Sequence, residues 1–276
     1  MEDAVLYWNA VALEANKVSH TDGSKEQNGP TLSSRALAMI HLAIYDAFQG
    51  LTGGSTYLPV VPSIGPTSVD AAIASAAHAV LFSLYPSQRV FFDRKYETFI
   101  PTGSSEEIHN GHTYGHIIAK NILKDRKDDI LAGDEGYNPI LTECMHRVDP
   151  DNPTQGFHGP NYGENRLFAV SILHELDAPP RCGGKKYSAA LRQVRSKGIA
   201  SELMGTLPNT IVPAKRTVDE TLIGIYWGYD GAKKLGTPPR LYNQIVREIA
   251  INQNNTLAQN VLLFARVNTS MADAGI

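Results

Sequence analysis

The stretch that decides the fold is SVDAAIASAAHAVLFSLYP, at residues 68–86. Ser68 is a residue type that favours the N-terminal cap of a helix, and the alanine-rich run after it contains no Gly. Pro86 interrupts the run, because proline has no backbone N–H to donate within a helix. The stretch therefore predicts a long helix ending near Tyr85, with residues 88–99 as its continuation after the break.

Helical spacing recurs on both sides of this stretch. In residues 3–16 the apolar side chains lie three and four positions apart, which places them on one helix face. Further helices are predicted from Ser33 or Ser34 to near Gly50, from Ser104 or Ser105 to about Arg126, and at residues 185–203, 218–229, 239–252 and 256–271. No useful run has the two-residue period of a strand. The sequence therefore predicts an all-α helical bundle, with a long irregular loop at about residues 127–184.

Composition excludes some classes of partner. The chain has 276 residues, of which 42% are hydrophobic and 19% charged, as in an ordinary globular protein. Its net charge of −3 predicts neither a nucleic-acid site nor a basic membrane-binding face. The first residues are acidic, unlike a secretory signal, so we expect a soluble chain that is cytoplasmic by default. Cys144 and Cys182 have no CxxC spacing, and both are interpreted as free thiols.

Two blocks near the ends of the chain carry a family resemblance. The first includes Leu-Tyr-Trp-Asn at residues 6–9 and continues through Asn16, His20 and Gly29-Pro30 to about Ala47. The second begins with Tyr-Trp-Gly-Tyr-Asp-Gly at residues 226–231 and Leu-Gly-Thr-Pro-Pro-Arg at residues 235–240. Together they resemble the vanadium-dependent haloperoxidases, within the superfamily that also contains the type 2 phosphatidic-acid phosphatases. The middle of the chain matches this family only loosely.

The resemblance implies that residues 1–276 form a single N-terminal helical-bundle domain, one half of a two-bundle enzyme. In the family, the oxyanion-binding half begins just after a stretch like Asp-Ala-Gly at residues 273–275. We therefore expect a split subunit of a hetero-oligomer, inactive alone, whose partner is a C-terminal polypeptide that binds vanadate. The complex would oxidise halide with hydrogen peroxide. The alternatives are a subunit of a related acid-phosphatase-type enzyme and a non-catalytic helical scaffold.

The same resemblance assigns roles to two residues. Asp230 stands where the family has an Asp that holds a vanadate-binding Arg of the C-terminal half by a salt bridge. Pro30 aligns with a residue that lines the substrate channel. Without the resemblance, Asp230 would be interpreted as a turn cap and Pro30 as a loop proline ahead of a helix. The resemblance places no catalytic residue and no metal ligand on this chain.

One constellation imitates a catalytic motif. Ser34-Arg35, His41 and Asp46 have the spacing of the superfamily's third signature motif, in which the Arg and the His hold the oxyanion. The two other signature elements, a Lys before an Arg-Pro pair and a Pro-Ser-Gly-His segment, are not in the sequence. Residues six positions apart on a helix also point in different directions. We therefore interpret Arg35 and Asp46 as structural ion-pair residues and His41 as a core histidine.

A second candidate cluster is formed by His109, His112 and His116, which share one face of a predicted helix. Three imidazoles on one stripe could bind Zn²⁺ together with a ligand from another helix. They lack the Glu of an HExxH arrangement, and glycines are interleaved among them. Exposed or packed histidines are the favoured interpretation.

Overall fold

The computed structural model describes residues 3–131, 133, 136–172, 176–203, 205–206, 208, 215–229 and 231–276. Within these residues the secondary structure is helical and contains no strand, which confirms the all-α prediction. The α-helices are α1 (Ala4–Ser19), α2 (Gly29–Thr52), α3 (Val69–Leu84), α4 (Arg89–Thr98), α5 (Ser105–Asp125), α6 (Lys185–Lys197), α7 (Val218–Trp227), α8 (Pro238–Asn252) and α9 (Leu257–Ala274).

The chain divides into two compact units. The first comprises Met1–Glu135, Phe157–Ser171 and Asp230–Ile276, and it contains α1 to α5, α8 and α9. The second comprises Gly136–Gly156 and Ile172–Tyr229, and it contains α6 and α7.

Helix α2 is the centre of the first unit. It contacts α1, α3, α5, α8 and α9, and its residues 33–44 are all buried. Alanines alternate with larger apolar side chains along it, so neighbouring helices can approach on several sides. A helix that is buried on all sides is expected at the centre of a bundle rather than at its surface.

Helices α3 and α5 pack closely because two glycines of α5 face α3. A Cβ at Gly115 would lie 2.8 Å from Ser75 Cβ and closer still to the Ala72 carbonyl oxygen. At Gly111, a Cβ would lie 2.6 Å from the Ser68 carbonyl oxygen. The two glycines therefore serve helix packing.

The predicted helix ends are confirmed where a cap or a proline sets them. Ser68 Oγ accepts from the Ala71 N–H, and Ser104 forms a capping box with Glu107. Helix α2 starts earlier than predicted, because Pro30 fits the first turn and the chain caps at Asn28. Ser33 and Ser34 lie inside that helix, with hydroxyls that donate to the Gln27 and Thr31 carbonyls.

The long irregular loop is confirmed for the described residues between α5 and α6, where one 3₁₀ turn forms at Tyr162–Glu164. Its part in the first unit is fixed by buried side chains. Tyr162 donates to the Thr31 carbonyl, and Phe168 lies under the Arg126 guanidinium, 3.7 Å from its carbon to the ring centre. The Asp273 carboxylate accepts from the backbone N–H groups of residues 168–170. This part of the loop is therefore packed.

The second unit contains a disulfide between Cys144 and Cys182, so the prediction of two free thiols is wrong. The cysteines are 38 positions apart in sequence, and their Cα atoms are 6.2 Å apart, within the usual range for a disulfide. Sequence spacing alone carried no information on this proximity.

No single helix among the described residues has both the length and the apolar composition needed to cross a bilayer. A bent pair, Val69–Leu84 with Pro86–Thr98, meets those criteria only when the two pieces are taken together.

Candidate functional site at the end of the first helix

The Asn16 side chain, at the end of α1, connects in space the two blocks of sequence that carry the family resemblance. Its Nδ2 donates to Ser33 Oγ of α2 at 2.7 Å. Its Oδ1 accepts from Thr237 Oγ1 at 3.4 Å. Asn16 is fully buried, so these bonds hold the start of α2 and the segment before α8 against the same turn of α1.

The start of α2, with Pro30, is held by His20. The backbone N–H of Gly29 donates to His20 Nε2 at 3.1 Å, so Nε2 is the acceptor nitrogen of a neutral ring. His20 Nδ1 lies 2.8 Å from the Asn16 carbonyl oxygen and donates to it. Pro30 follows in the first turn of α2, half-buried. His158 is close to this point, because a Cβ at Gly29 would lie 2.8 Å from its Nε2.

The turn at residues 231–237 is anchored on α1. The Gly231 N–H donates to the Gly236 carbonyl, which closes the turn. The Lys234 N–H donates to Thr21 Oγ1 at 2.8 Å. Gly236 has a φ of +78°, and a Cβ there would lie 2.6 Å from Asn16 Oδ1, so this position needs glycine.

Arg240 fixes the helix that follows the turn. Its Nε donates to the Leu13 carbonyl at 2.8 Å, and its Nη1 donates to the Leu235 carbonyl at 3.0 Å. Burial lowers the pKa of Arg240 from its ordinary value. The guanidinium is therefore engaged with backbone carbonyls of α1 and of the turn.

Asp230, the residue assigned by resemblance to hold an arginine, lies outside the described residues. Its neighbours are described: α7 ends at Trp227, and the anchored turn begins at Gly231.

Arg35, His41 and Asp46, which have the spacing of a catalytic motif, do not converge on one site. Arg35 is buried, and its Nε pairs with Asp129 Oδ2 at 2.6 Å, which confirms a structural ion pair. Arg126 Nε binds the same oxygen at 2.9 Å. The guanidinium of Arg35 also donates to the Arg126 carbonyl. Both arginines are therefore committed to the packing of the α5 end.

His41 is a core histidine, as interpreted. It is 1% exposed, and its ring stacks on Phe264 with centres 5.3 Å apart. Asn9 Nδ2 donates to its Nε2 at 2.9 Å. Burial, together with the charge of Arg247, lowers the pKa of His41 to about 3. The ring is thus neutral at physiological pH and cannot serve as a proton donor there.

The interpretation of Asp46 as an ion-pair residue is wrong. Its carboxylate accepts from the backbone N–H groups of Tyr57 at 2.6 Å and Leu58 at 3.0 Å. Within the described part of the chain it forms no ion pair. Burial raises the pKa of Asp46 to about 6, against the effect of those two hydrogen bonds. Its role is to hold the segment after α2, a contact that spacing along one helix could not predict.

The histidine stripe of α5 is not a ligand set in this geometry. His109 and His116 are exposed, whereas His112 Nδ1 forms a hydrogen bond with the Tyr96 hydroxyl. Burial, with a smaller effect of His109, lowers the pKa of His112. The one group of potential metal ligands found in the described ranges is Glu143 with Cys144 and Cys182, whose sulfurs are joined in the disulfide.

Comparison with known proteins identifies the family of this chain. The vanadium chloroperoxidase N-terminal domain family matches residues 2–158. Vanadium chloroperoxidase of Curvularia inaequalis is 32% identical over 336 aligned residues, covering 99% of this chain and 53% of the relative. The chain belongs to the vanadium chloroperoxidase family. This chloroperoxidase-family chain thus spans about half the length of its curated relative.

In this vanadium chloroperoxidase family member, Arg35 and Arg240 do not form a vanadate site. A trianionic oxyanion needs several cationic or N–H donors directed at one point. Arg35 is paired with Asp129, and Arg240 donates to backbone carbonyls. No step of the family's chemistry can therefore be placed on these side chains.

Sequence reasoning missed the connecting residues of the site. Asn16 and His20 belong to the block that carries the resemblance, but their residue types alone gave no role. A buried Asn near a helix end is a signal for such a role, because a buried amide must find partners.

Proposed function

We propose that this chain is the N-terminal helical half of a vanadium-dependent haloperoxidase that oxidises halide with hydrogen peroxide. The observation that carries the proposal is the family match together with the turn at residues 231–237, which is anchored on α1 directly after position 230. Such an anchor suits a residue that must be held at a fixed point for another part of the enzyme.

Vanadate is held by a C-terminal half, on the same or on a separate polypeptide, and that half is the partner of this chain. The chemistry at the peroxide belongs to the bound vanadate, so this chain contributes position and enclosure. Pro30, at the start of α2 beside His20, lines the path of the substrate to the vanadate. It is suited to this because its ring fixes the backbone and adds no charge.

Asp230 holds an arginine of the C-terminal half that contacts the vanadate. A carboxylate in this place fixes the arginine side chain and reduces repulsion among cations gathered around one anion. The turn that follows position 230 supports this role, because its hydrogen bonds to α1 fix the backbone from Gly231 onwards.

The surface of α8 supports a further protein layer on the first unit. Its inner face is buried through Asn243, Val246 and other residues. On its outer face, Tyr242, Ile245 and Ile249 are 52%, 48% and 52% exposed. These three lie three and four positions apart, so they form one apolar stripe that the C-terminal half covers.

The test is a titration of vanadate into the complex of this chain with the C-terminal half. Asp230→Ala and Asp230→Asn are compared with wild type and with Asp128→Ala, whose carboxylate is 87% exposed. Breaking a buried pair from one side costs about 2 to 5 kcal/mol, and the charge of the ligand recovers part of it. We expect both Asp230 variants to lose about 2 kcal/mol of vanadate binding and the control to lose none.

Two outcomes would contradict the proposal. Equal vanadate affinity in all four proteins, with assembly intact, would refute the role of Asp230. An assembled wild-type complex that neither binds vanadate nor oxidises halide would refute the haloperoxidase function.

A further inference from the structure

Helix α7 has no buried residue. Its sequence is VDETLIGIYW, and its six large apolar side chains are 58% to 76% exposed: Val218, Leu222, Ile223, Ile225, Tyr226 and Trp227. A helix of a globular protein normally turns its apolar face towards the core. In α7 this face is in solvent.

The polar side of α7 makes the contacts with the rest of the second unit. Glu220 Oε2 pairs with Lys197 Nζ at 2.8 Å, and Arg216 Nε donates to Thr221 Oγ1 at 3.0 Å. Glu220 also completes a capping box with Thr217. These side chains and Gly224 line a cleft of about 460 Å³ beside the end of α6. The polar side of α7 thus makes the contacts within the second unit, and its apolar side is exposed to solvent. This is the reverse of the usual orientation of an amphipathic helix.

The outward face of α7, formed by these six apolar side chains, is larger than the apolar patches on the surface of a typical monomer. With about 100° of rotation per residue, the six apolar positions span an arc of roughly 200°. Since a large side chain carries on the order of 150 to 250 Å² of surface, six with these exposures present roughly 700 Å². The largest apolar patch on a typical monomer is about 300 to 600 Å². A surface of this size approaches one side of a standard protein interface, about 800 Å².

We propose that the outward face of α7 is the docking surface for the C-terminal half of the enzyme, an inference that rests on the proposed function. The curated relative has about as much chain again as the aligned part, so a partner of sufficient size exists in the family. Along the sequence, α7 ends three residues before position 230, the residue that the proposed function assigns to contact with that half.

The charges of α7 disfavour two other occupants. The helix carries Asp219 and Glu220 and no Lys or Arg, so it lacks the basic residues that bind an anionic membrane surface. Asp219 lies within the apolar arc. Symmetric pairing of two copies would bury two such carboxylates with no cation of α7 to neutralise them.

The first experiment measures the affinity of this chain for a separately supplied C-terminal half by analytical ultracentrifugation. The test variant carries Leu222→Gln and Tyr226→Gln, which keep the helix and remove two neighbouring apolar contacts. The control carries Ile64→Gln and Ile100→Gln, at side chains that are 75% and 88% exposed elsewhere. We expect the α7 variant to bind at least about 30-fold more weakly and the control within about threefold of wild type.

A second readout uses the exposed tryptophan. Trp227 is 64% exposed, whereas Trp8 is fully buried. Acrylamide quenching, taken as the difference between wild type and Trp227→Phe, should fall on assembly. Unchanged affinity of the α7 variant together with unchanged quenching would overturn the proposal, as would self-association of the wild-type chain through α7. Binding of α7 to phosphatidylcholine/phosphatidylserine vesicles would also overturn it.

Failure of the docking proposal can be distinguished from failure of the proposed function. Halide oxidation by a complex that the α7 variant forms as well as wild type would leave the function standing and refute docking through α7. Assembly through α7 without vanadate binding or halide oxidation would support docking and refute the function.

Discussion

A change of pH from 7 to 5 should separate a core histidine from a catalytic one at position 41. His41 is buried against Phe264, and its pKa is lowered to about 3 from an ordinary value of 6.5. Because the folded state favours the neutral ring, His41 contributes stability that is complete above the ordinary pKa. This contribution is lost as the pH falls from 6.5 towards 3.

The magnitude follows from the difference in proton binding. At pH 5 the unfolded chain has taken up the proton and the folded chain has not. The gap of about 1.5 pH units below 6.5, at about 1.4 kcal/mol each, gives a loss of about 2 kcal/mol. Asp46 acts in the opposite direction, because its pKa is raised to about 6 and acid favours its folded form. A single pH profile of wild type therefore mixes the two effects.

The contribution of Asp46 cancels when the stability of each His41 variant is subtracted from that of wild type. Urea unfolding followed by circular dichroism is measured at pH 7 and pH 5 for wild type, His41→Gln and His41→Leu. Both variants retain Asp46, and neither titrates at position 41. We expect the stability advantage of wild type over each variant to shrink by about 2 kcal/mol at pH 5.

A constant difference between wild type and both variants would refute this reasoning. It would mean that His41 keeps an ordinary pKa and reaches solvent. The bundle around Asn9 and Phe264 would then be open, and the catalytic interpretation of the Arg35, His41 and Asp46 spacing would regain support.

Two further predictions concern stability in each unit. Gly115→Ala should destabilise the first unit by about 1 to 3 kcal/mol, because the added methyl meets the Ala72 carbonyl oxygen and Ser75, and the gain in helix propensity offsets only part of the clash. Gly224→Ala is the matched control, with open space around its Cβ position, and should be neutral or stabilising in the same urea assay. Cys144→Ser should cost the second unit about 2 to 4 kcal/mol through loss of its disulfide, measured by thermal unfolding with and without reductant.

Equal effects of the two alanine substitutions would contradict the close packing of α3 and α5. Unfolding of the wild-type second unit that is insensitive to reductant would contradict a stabilising disulfide.

The sequence by itself determined the helices and where most of them end. Local chemistry sets these features. Ser68 caps α3, Ser104 and Glu107 form a capping box at the start of α5, and Pro86 interrupts the helix after α3. The family resemblance likewise depended on short blocks that can be compared without a structure, and the family match confirmed it.

Only the tertiary structure decided which distant residues meet. Asn16 binds Thr237 across 221 positions, and Cys144 meets Cys182 across 38. The spacing of Arg35, His41 and other residues imitated a catalytic motif, but their partners come from other segments and engage each of them separately. Local preferences act over a few residues, whereas these contacts exist because the helices pack, so no pattern along the chain could specify them.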